Sequence, residues 1–466
     1  MKSKLLPLAL VAAFASAGCR KKSEPVVHTS APTEAPGGDG TSDPGPAEPA
    51  EPSDGTDEAR DPREVAMETA YQSLVTGDDG APAKVVALGA DALAILERAL
   101  ESQNVVAVLG AIQTLPLLAT ERGGALLEAA LANTAASVRA AALDASAAGP
   151  HRVPVAKLVE ALADAEIEVR ATACDALGTG GVKEAAAVAA VFARLADEDP
   201  VVRTACAAAF AVMATPSEWL PKLATQLESP KAEGREGAVR ALGELKLAEG
   251  FDFIRGRLAD PDASVVATAL AAIGRYADEP SVREVEPFLK DERRSVRIEA
   301  AAALARLPAA SVKNLVYEVL KDRDAAVRIE AAAALGRFGD DPETFIRLHA
   351  LLRDEEAAVR DITALVLEEL LVAGNRPGGT SPTGSFSAIS GRLADEPDDG
   401  VRARLVVALS AADAQRAVPV FIDRLAAAKG QEGTALLVAL RTTTGQSLPM
   451  DAVQWRAWYD KAHPTP

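Results

Sequence analysis

The nine-residue string VRIEAAAAL occupies 296–304 and recurs at 327–335, 31 residues later. It is the strictest instance of a marker that runs through most of the chain, a Val-Arg pair opening an Ala-rich stretch. The marker arginines are Arg139, Arg170, Arg203, Arg235, Arg297, Arg328, Arg360 and Arg402, and Val266 holds the same frame without the charge. Successive spacings are 31, 33, 32, 31, 31, 31, 32 and 42 residues. A period of this size and regularity predicts a solenoid, in which each unit is one supersecondary element stacked on its neighbours.

Within a unit the residues specify two helices. In SVKNLVYEVL, Val312, Leu315, Val316, Val319 and Leu320 fall at i, i+3, i+4, i+7 and i+8, a single apolar stripe. The next helix, opened by Arg328, turns Ala331, Ala334, Leu335 and Phe338 inward. Neither stripe can be buried by one hairpin, so hairpins must stack, and the repeated alanines let their helices approach closely. The expected fold is all-α, an α-solenoid of about eleven helical hairpins. An acid stands four residues before the marker in six of nine units: Glu166, Asp199, Asp262, Asp324, Glu356 and Asp398. Such a residue can accept from the first free N–H groups of the helix, and the arginine one turn on can reach it or the adjacent unit's turn. Recurrence in nearly every layer points to a structural ladder, not to catalysis.

The D-x-x-V-R-x-x-A-x-x-A-L pattern resembles HEAT repeats of the short bacterial type also found in phycobilisome lyases, over roughly residues 90–442. The resemblance implies a solenoid whose second helices line a concave surface used for binding proteins. Enzymes occur on this scaffold, but the paired His-Glu dipeptides of deoxyhypusine hydroxylase have no counterpart here, and neither a lyase-type cofactor cysteine nor a His cluster is visible. No metal-ligand spacing, phosphate loop or nucleophile elbow occurs, so no catalytic, cofactor or metal residues are assigned and no small-molecule substrate is expected. The net charge of −18 argues against nucleic acid, whose phosphates need a basic footprint. Cys174 and Cys206 lie in Ala-rich helical stretches and read as small buried thiols in preference to a disulfide.

The N-terminus gives an address. MKSK followed by LLPLALVAAFASAG is a basic n-region and an apolar segment too short to span a membrane, which makes 1–18 a signal peptide. Ser16-Ala17-Gly18-Cys19 resembles the lipobox of bacterial lipoproteins, which implies that Cys19 is acylated and becomes the new N-terminus. The alternative is cleavage after Ala17, giving a soluble periplasmic protein. Residues 23–59 contain no Lys or Arg and are built largely from Pro, Gly, Ser, Thr, Asp and Glu, a composition that cannot offset its ordering entropy. With Cys19 they form a tether, 19–62, ahead of the solenoid at 63–445 and a terminal segment at 446–466. Arg20 is not the Asp that retains lipoproteins at the inner membrane in some bacteria, which favours the outer membrane.

Candidate partner contacts are sought where the pattern breaks. Lys231 and Arg293 replace the usual acid, so Lys231, Arg235, Arg293, Arg294 and Arg297 could form a basic patch for an acidic partner. The 42-residue spacing contains a Gly/Pro/Ser/Thr insertion at 373–387. The C-terminus places Trp455, Trp458 and Tyr459 on one helical face, either as a cap over the last layer or as a partner-binding aromatic patch. The reading is a non-catalytic, lipid-anchored scaffold of the bacterial cell envelope that binds a protein; the alternatives are a lyase-like enzyme or enzyme subunit acting on a partner protein, and a purely structural spacer.

Overall fold

A computed structural model describes residues 61–464, except Glu279 and 375–381. Cys19, the tether up to residue 60 and the centre of the 373–387 insertion lie outside the described residues. Those described form helices and connecting turns, with no strand among them.

The chain begins with α1 (Pro62–Thr76) and a short α2 (Ala81–Val86), then settles into hairpins. Each pairs a partner helix with the helix that carries the marker position. They are α3 (Ala92–Leu100) with α4 (Val105–Thr114), α5 (Gly123–Ala130) with α6 (Ala136–Ala148), α7 (Val155–Ala161) with α8 (Ile167–Thr179), and α9 (Ala185–Arg194) with α10 (Pro200–Met213). Next come α11 (Pro216–Gln226) with α12 (Ala232–Leu245), α13 (Ala248–Gly256) with α14 (Ala263–Tyr276), and α15 (Ser281–Val285) with α16 (Arg294–Leu304). The series continues through α17 (Ala309–Val319) with α18 (Ala325–Ala334), α19 (Pro342–Leu351) with α20 (Ala357–Val372), and α21 (Pro382–Asp395) with the first half of α22 (Asp399–Leu425). Helix α22 breaks at Asp413 (φ −167°, ψ 95°), so its second half is the partner helix of α23 (Gly430–Thr444), and α24 (Ala452–Ala462) closes the stack. That makes eleven hairpins, as the periodicity requires.

The predicted stripe is buried as expected: Val312, Val316, Val319 and Leu320 of the α17 region face Ala331, Ala334, Leu335 and Phe338, and all belong to one apolar core running from Ala70 to Trp455. Helix α22 is long and apolar enough to cross a membrane, the one such helix among the described residues. Its break and the burial of Leu405, Leu409, Phe421 and Ile422 make it two core helices of the stack.

The two layers pack differently. Successive marker helices lie directly against one another, whereas partner helices of successive hairpins touch much less. Small residues make the difference: a Cβ built on Gly178 of α8 would fall 2.8 Å from Ala209 Cα of α10, closer than a side chain allows. Between partner helices, grooves open instead, such as one of about 550 Å³ lined by Glu128, Lys157 and Glu160. The marker helices thus form a close-packed layer, the inner face of the stack, and the partner helices a looser one.

Candidate functional site

Two surfaces compete for attention, the turn edge that carries the marker arginines and the inner face of the marker helices. On the turn edge the arginine does not bond the acid four residues before it. That acid caps its own helix: Asp199, Asp262, Asp324 and Asp398 accept from the N–H groups of Val201, Ser264, Ala326 and Val401, whereas Glu166 and Glu356 make no such bond. The arginine reaches the next repeat, to an acid six residues ahead of that repeat's marker. Arg235 donates from Nε and Nη2 to both carboxylate oxygens of Asp260 at 2.8 Å, and Arg328 does the same to Asp354 at 2.8 and 2.7 Å. Its remaining Nη1 returns to carbonyls of its own turn, as in Arg170 to Asp164 and Ala165 at 3.1 and 3.0 Å. The acceptor acid also takes a backbone N–H, Asp262 to Asp260 at 2.9 Å. The rungs from Arg139, Arg170, Arg235, Arg297, Arg328 and Arg360 are bidentate, largely buried ties between successive hairpins, whereas Arg203 and Arg402 reach across with one nitrogen each.

The electrostatics match this geometry. Arg235, with help from the Asp262 N–H, holds the Asp260 carboxyl below the ordinary range against burial. At Glu396 burial pushes upward most strongly, but Arg360, Arg392 and the Asp398 N–H together bring it down to about 2. These are the signatures of carboxylates kept ionised inside a structural tie, not of poised acid–base catalysts.

The sequence-nominated basic patch lies on this edge, and its arginines already have partners. Arg235 is bound to Asp260, Arg297 to Asp322 at 3.0 Å, and Arg294 to Asp324. Arg293 folds onto Asp291 of its own turn at 2.9 and 2.8 Å. Lys231 is exposed at the start of α12, two junctions away from Arg293. The two breaks in the pattern prove to be compensations. With Val266 in place of arginine nothing arrives from α14 to meet Asp291, and Arg293 takes the vacant role. With Ser229 in place of the acceptor acid, Arg203 turns to Glu236 at 2.6 Å, which Arg240 also binds at 2.6 Å.

The inner face behaves in the opposite way. Residues two, five and nine positions after the marker vary along the stack, although α16 and α18 share one set. The fifth position is acidic early, Asp144 and Asp175, then alanine except at Arg240, and apolar and larger late, with Val407 exposed. The ninth runs Glu244, Arg275, Arg306, Arg337 and Glu369, and the second includes Glu299 and Glu330, the glutamates of the duplicated string. The arginines here are partly engaged: Arg275 pairs with Glu244 at 3.0 Å, and Arg337 donates to the Leu307 carbonyl at 2.7 Å. Neither Glu299 nor Glu330 has an ion-pair or hydrogen-bond partner among the described residues. Burial raises the Glu299 carboxyl against the pull of Arg306, Arg240 and Arg275; burial and then Glu299 raise that of Glu330, against Arg306. Sequence reasoning misses these residues, although aligning the same offset across repeats would expose the columns.

At the C-terminus Trp455 is fully buried, donating from Nε1 to the Pro449 carbonyl at 2.9 Å. Trp458 and Tyr459 are half-buried against the same core, with Trp458 edge-on to Trp455 at 5.9 Å. Their arrangement is that of a lid on the last layer. One expectation is corrected: Cys174 of α8 and Cys206 of α10, both fully buried, form a disulfide with Cα atoms 4.9 Å apart. Close packing of consecutive marker helices brings the two sulfurs together, which a reading of either helix alone could not show. Among the described residues no three His, Cys, Asp or Glu side chains gather as a metal site.

The likeness to known proteins lies in this stacked-hairpin geometry. The family profile described as HEAT repeats matches residues 155–218, 220–291 and 282–368, so these stretches are HEAT repeats in an all-α solenoid. The structure of yeast importin-β (Kap95p) is 13% identical with a TM-score of 0.56, covering 87% of this chain and 62% of that one. Kap95p in a structure on the switch loops of RanGDP is 14% identical with a TM-score of 0.49, covering 86% of this chain and 63% of that one. The CpcE–CpcF complex of phycocyanin lyase from Nostoc sp. PCC7120 is 17% identical with a TM-score of 0.31, covering 64% and 96%. The chain thus spans under two thirds of the Kap95p chains, and at these identities the likeness is one of fold. No curated protein matches the sequence. A HEAT-repeat scaffold fits protein–protein interaction.

Proposed function

We propose that this chain is a non-catalytic scaffold of the bacterial cell envelope, anchored by lipid at Cys19, which binds a protein along the inner face of its solenoid. The observation that carries the reading is the contrast between surfaces: the turn edge repeats one tie with compensated exceptions, while the inner face varies along the stack, from Asp144 and Asp175 through the uncharged Ala205, Ala208 and Val212 to the incompletely paired Glu299 and Glu330. Residues that build a stack recur; residues that recognise something need not. The lipobox-like Ser16-Ala17-Gly18-Cys19 and the acidic tether behind it support anchoring, and a disulfide between Cys174 and Cys206 suits an oxidising compartment outside the cytoplasm. Arg20 favours the outer membrane.

In-envelope crosslinking of the full chain followed by mass spectrometry tests the binding role. One protein joined reproducibly to peptides from the marker helices is the expected result; crosslinks confined to the turn edge, or none to any protein, would refute it. Intact mass of the N-terminal fragment tests the anchor, with an acylated Cys19 expected and a chain starting at Gly18 ruling it out.

A further inference from the structure

We propose that the solenoid has a built-in bending point at the junction between α14 and α16. From α6 to α23 every other junction between successive marker helices is crossed by an arginine–carboxylate rung, including Arg139 to Asp164, Arg235 to Asp260, Arg297 to Asp322 and Arg402 to Glu432. At this junction Val266 supplies no arginine, and Asp291 is bound from within its own turn by Arg293. The compensation satisfies the carboxylate without restoring the tie. Among the described residues the one ion pair that crosses is Arg255 to Glu284, at 3.8 Å on the exposed side.

The partner layer is weak at the same place. Helix α15 has five residues and gives way to a 3-10 turn over Glu286–Lys290, with Pro287 near its start. Close apolar packing holds α14 to α16: a Cβ on Gly274 would lie 3.1 Å from Ala303 Cα. Apolar contact is non-directional, so small-residue surfaces can roll where a bidentate guanidinium would resist. Rolling here moves Arg240 and Arg275 on one side of the junction relative to Glu299, Arg306 and Glu330 on the other. The inner face can therefore change its charge spacing without breaking the core.

Double electron–electron resonance on the full chain, in a Cys19→Ser background that keeps the Cys174–Cys206 bond, tests this. Spin labels at Glu249 and Asn314 span two junctions including α14–α16, and labels at Ala189 and Glu249 span two junctions with intact rungs. All three sites are exposed on partner helices. The first distance distribution is expected to be about twofold broader than the second; equal widths overturn the proposal. In a Val266→Arg, Arg293→Asp variant the arginine can reach Asp291, and the broad distribution should narrow toward the control. A folded variant that stays broad refutes the missing rung as the cause, and if that variant does not fold the wild-type comparison decides alone.

Discussion

The turn edge and the inner face are built from the same eleven hairpins, yet they obey opposite rules. On the edge a residue lost in one layer is replaced from a neighbouring position, as Arg293 replaces the arginine missing at Val266 and Glu236 the acid missing at Ser229. On the inner face no common chemistry is kept: the same position holds Asp175, Arg240 and Val407, and alanine at Ala208, Ala271, Ala302 and Ala333. Compensation marks a requirement of the stack, and its absence marks a surface that stacking does not constrain.

The sharpest way to break the comparison is on the edge. Arg235→Met leaves the Asp260 carboxylate, 2% exposed, without its bidentate partner, and should destabilise the chain by about 3–5 kcal/mol in urea unfolding. The same ties set the acid response. Asp164, Asp260 and Glu396 are held below the ordinary carboxylate range, so their contribution is present above the unfolded value near 4 and is lost as pH falls through the folded values. Thermal midpoints should therefore drop between about pH 5 and 2, and less steeply in Arg235→Met, which has already lost one such tie.

Cys174→Ala removes a link between residues 32 apart in sequence. A loss of about 2–4 kcal/mol is expected, with reductant abolishing the difference from wild type. If reductant leaves wild type unchanged, the bond does not form in the purified protein.

Helix capping predicts a smaller effect: Asp262→Ala should cost about 1 kcal/mol, since it loses only the bond to the Ser264 N–H and hydroxyl. The smallest change in stability belongs to the inner face. Glu299→Gln with Glu330→Gln removes two carboxylates whose charged forms burial disfavours, so unfolding should shift by no more than about 0.5 kcal/mol. The same pair should sharply reduce capture of the crosslinked partner. A variant that unfolds readily yet keeps its partner would reverse the roles assigned to the two surfaces.

Much of the architecture is legible in the residues alone. The period gives the number of hairpins, the i, i+3, i+4 spacing gives the buried stripe of α17, and the terminal aromatics suggest a lid, in which Trp455 is buried. The site is less legible. Spacing allows the marker arginine to reach its own acid or the neighbouring turn, and only stacking selects the neighbour, Asp260 for Arg235 and Glu396 for Arg360. A basic patch from Lys231 to Arg297 treats as adjacent residues that the fold distributes over separate ties. Each cysteine taken with its own helix reads as a buried thiol, and the pairing depends on two helices at once.

By itself, then, the sequence determined the unit, its length and its apolar faces, because helix periodicity and capping act within a few residues of the chain. Only the tertiary structure decided which charge meets which. Rung partners such as Arg139 and Asp164, or Arg360 and Glu396, lie 25 to 36 residues apart and are brought together by the stacking of one hairpin on the next. The same stacking sets Glu299 and Glu330 beside each other on the inner face, partly buried and within the pull of Arg306.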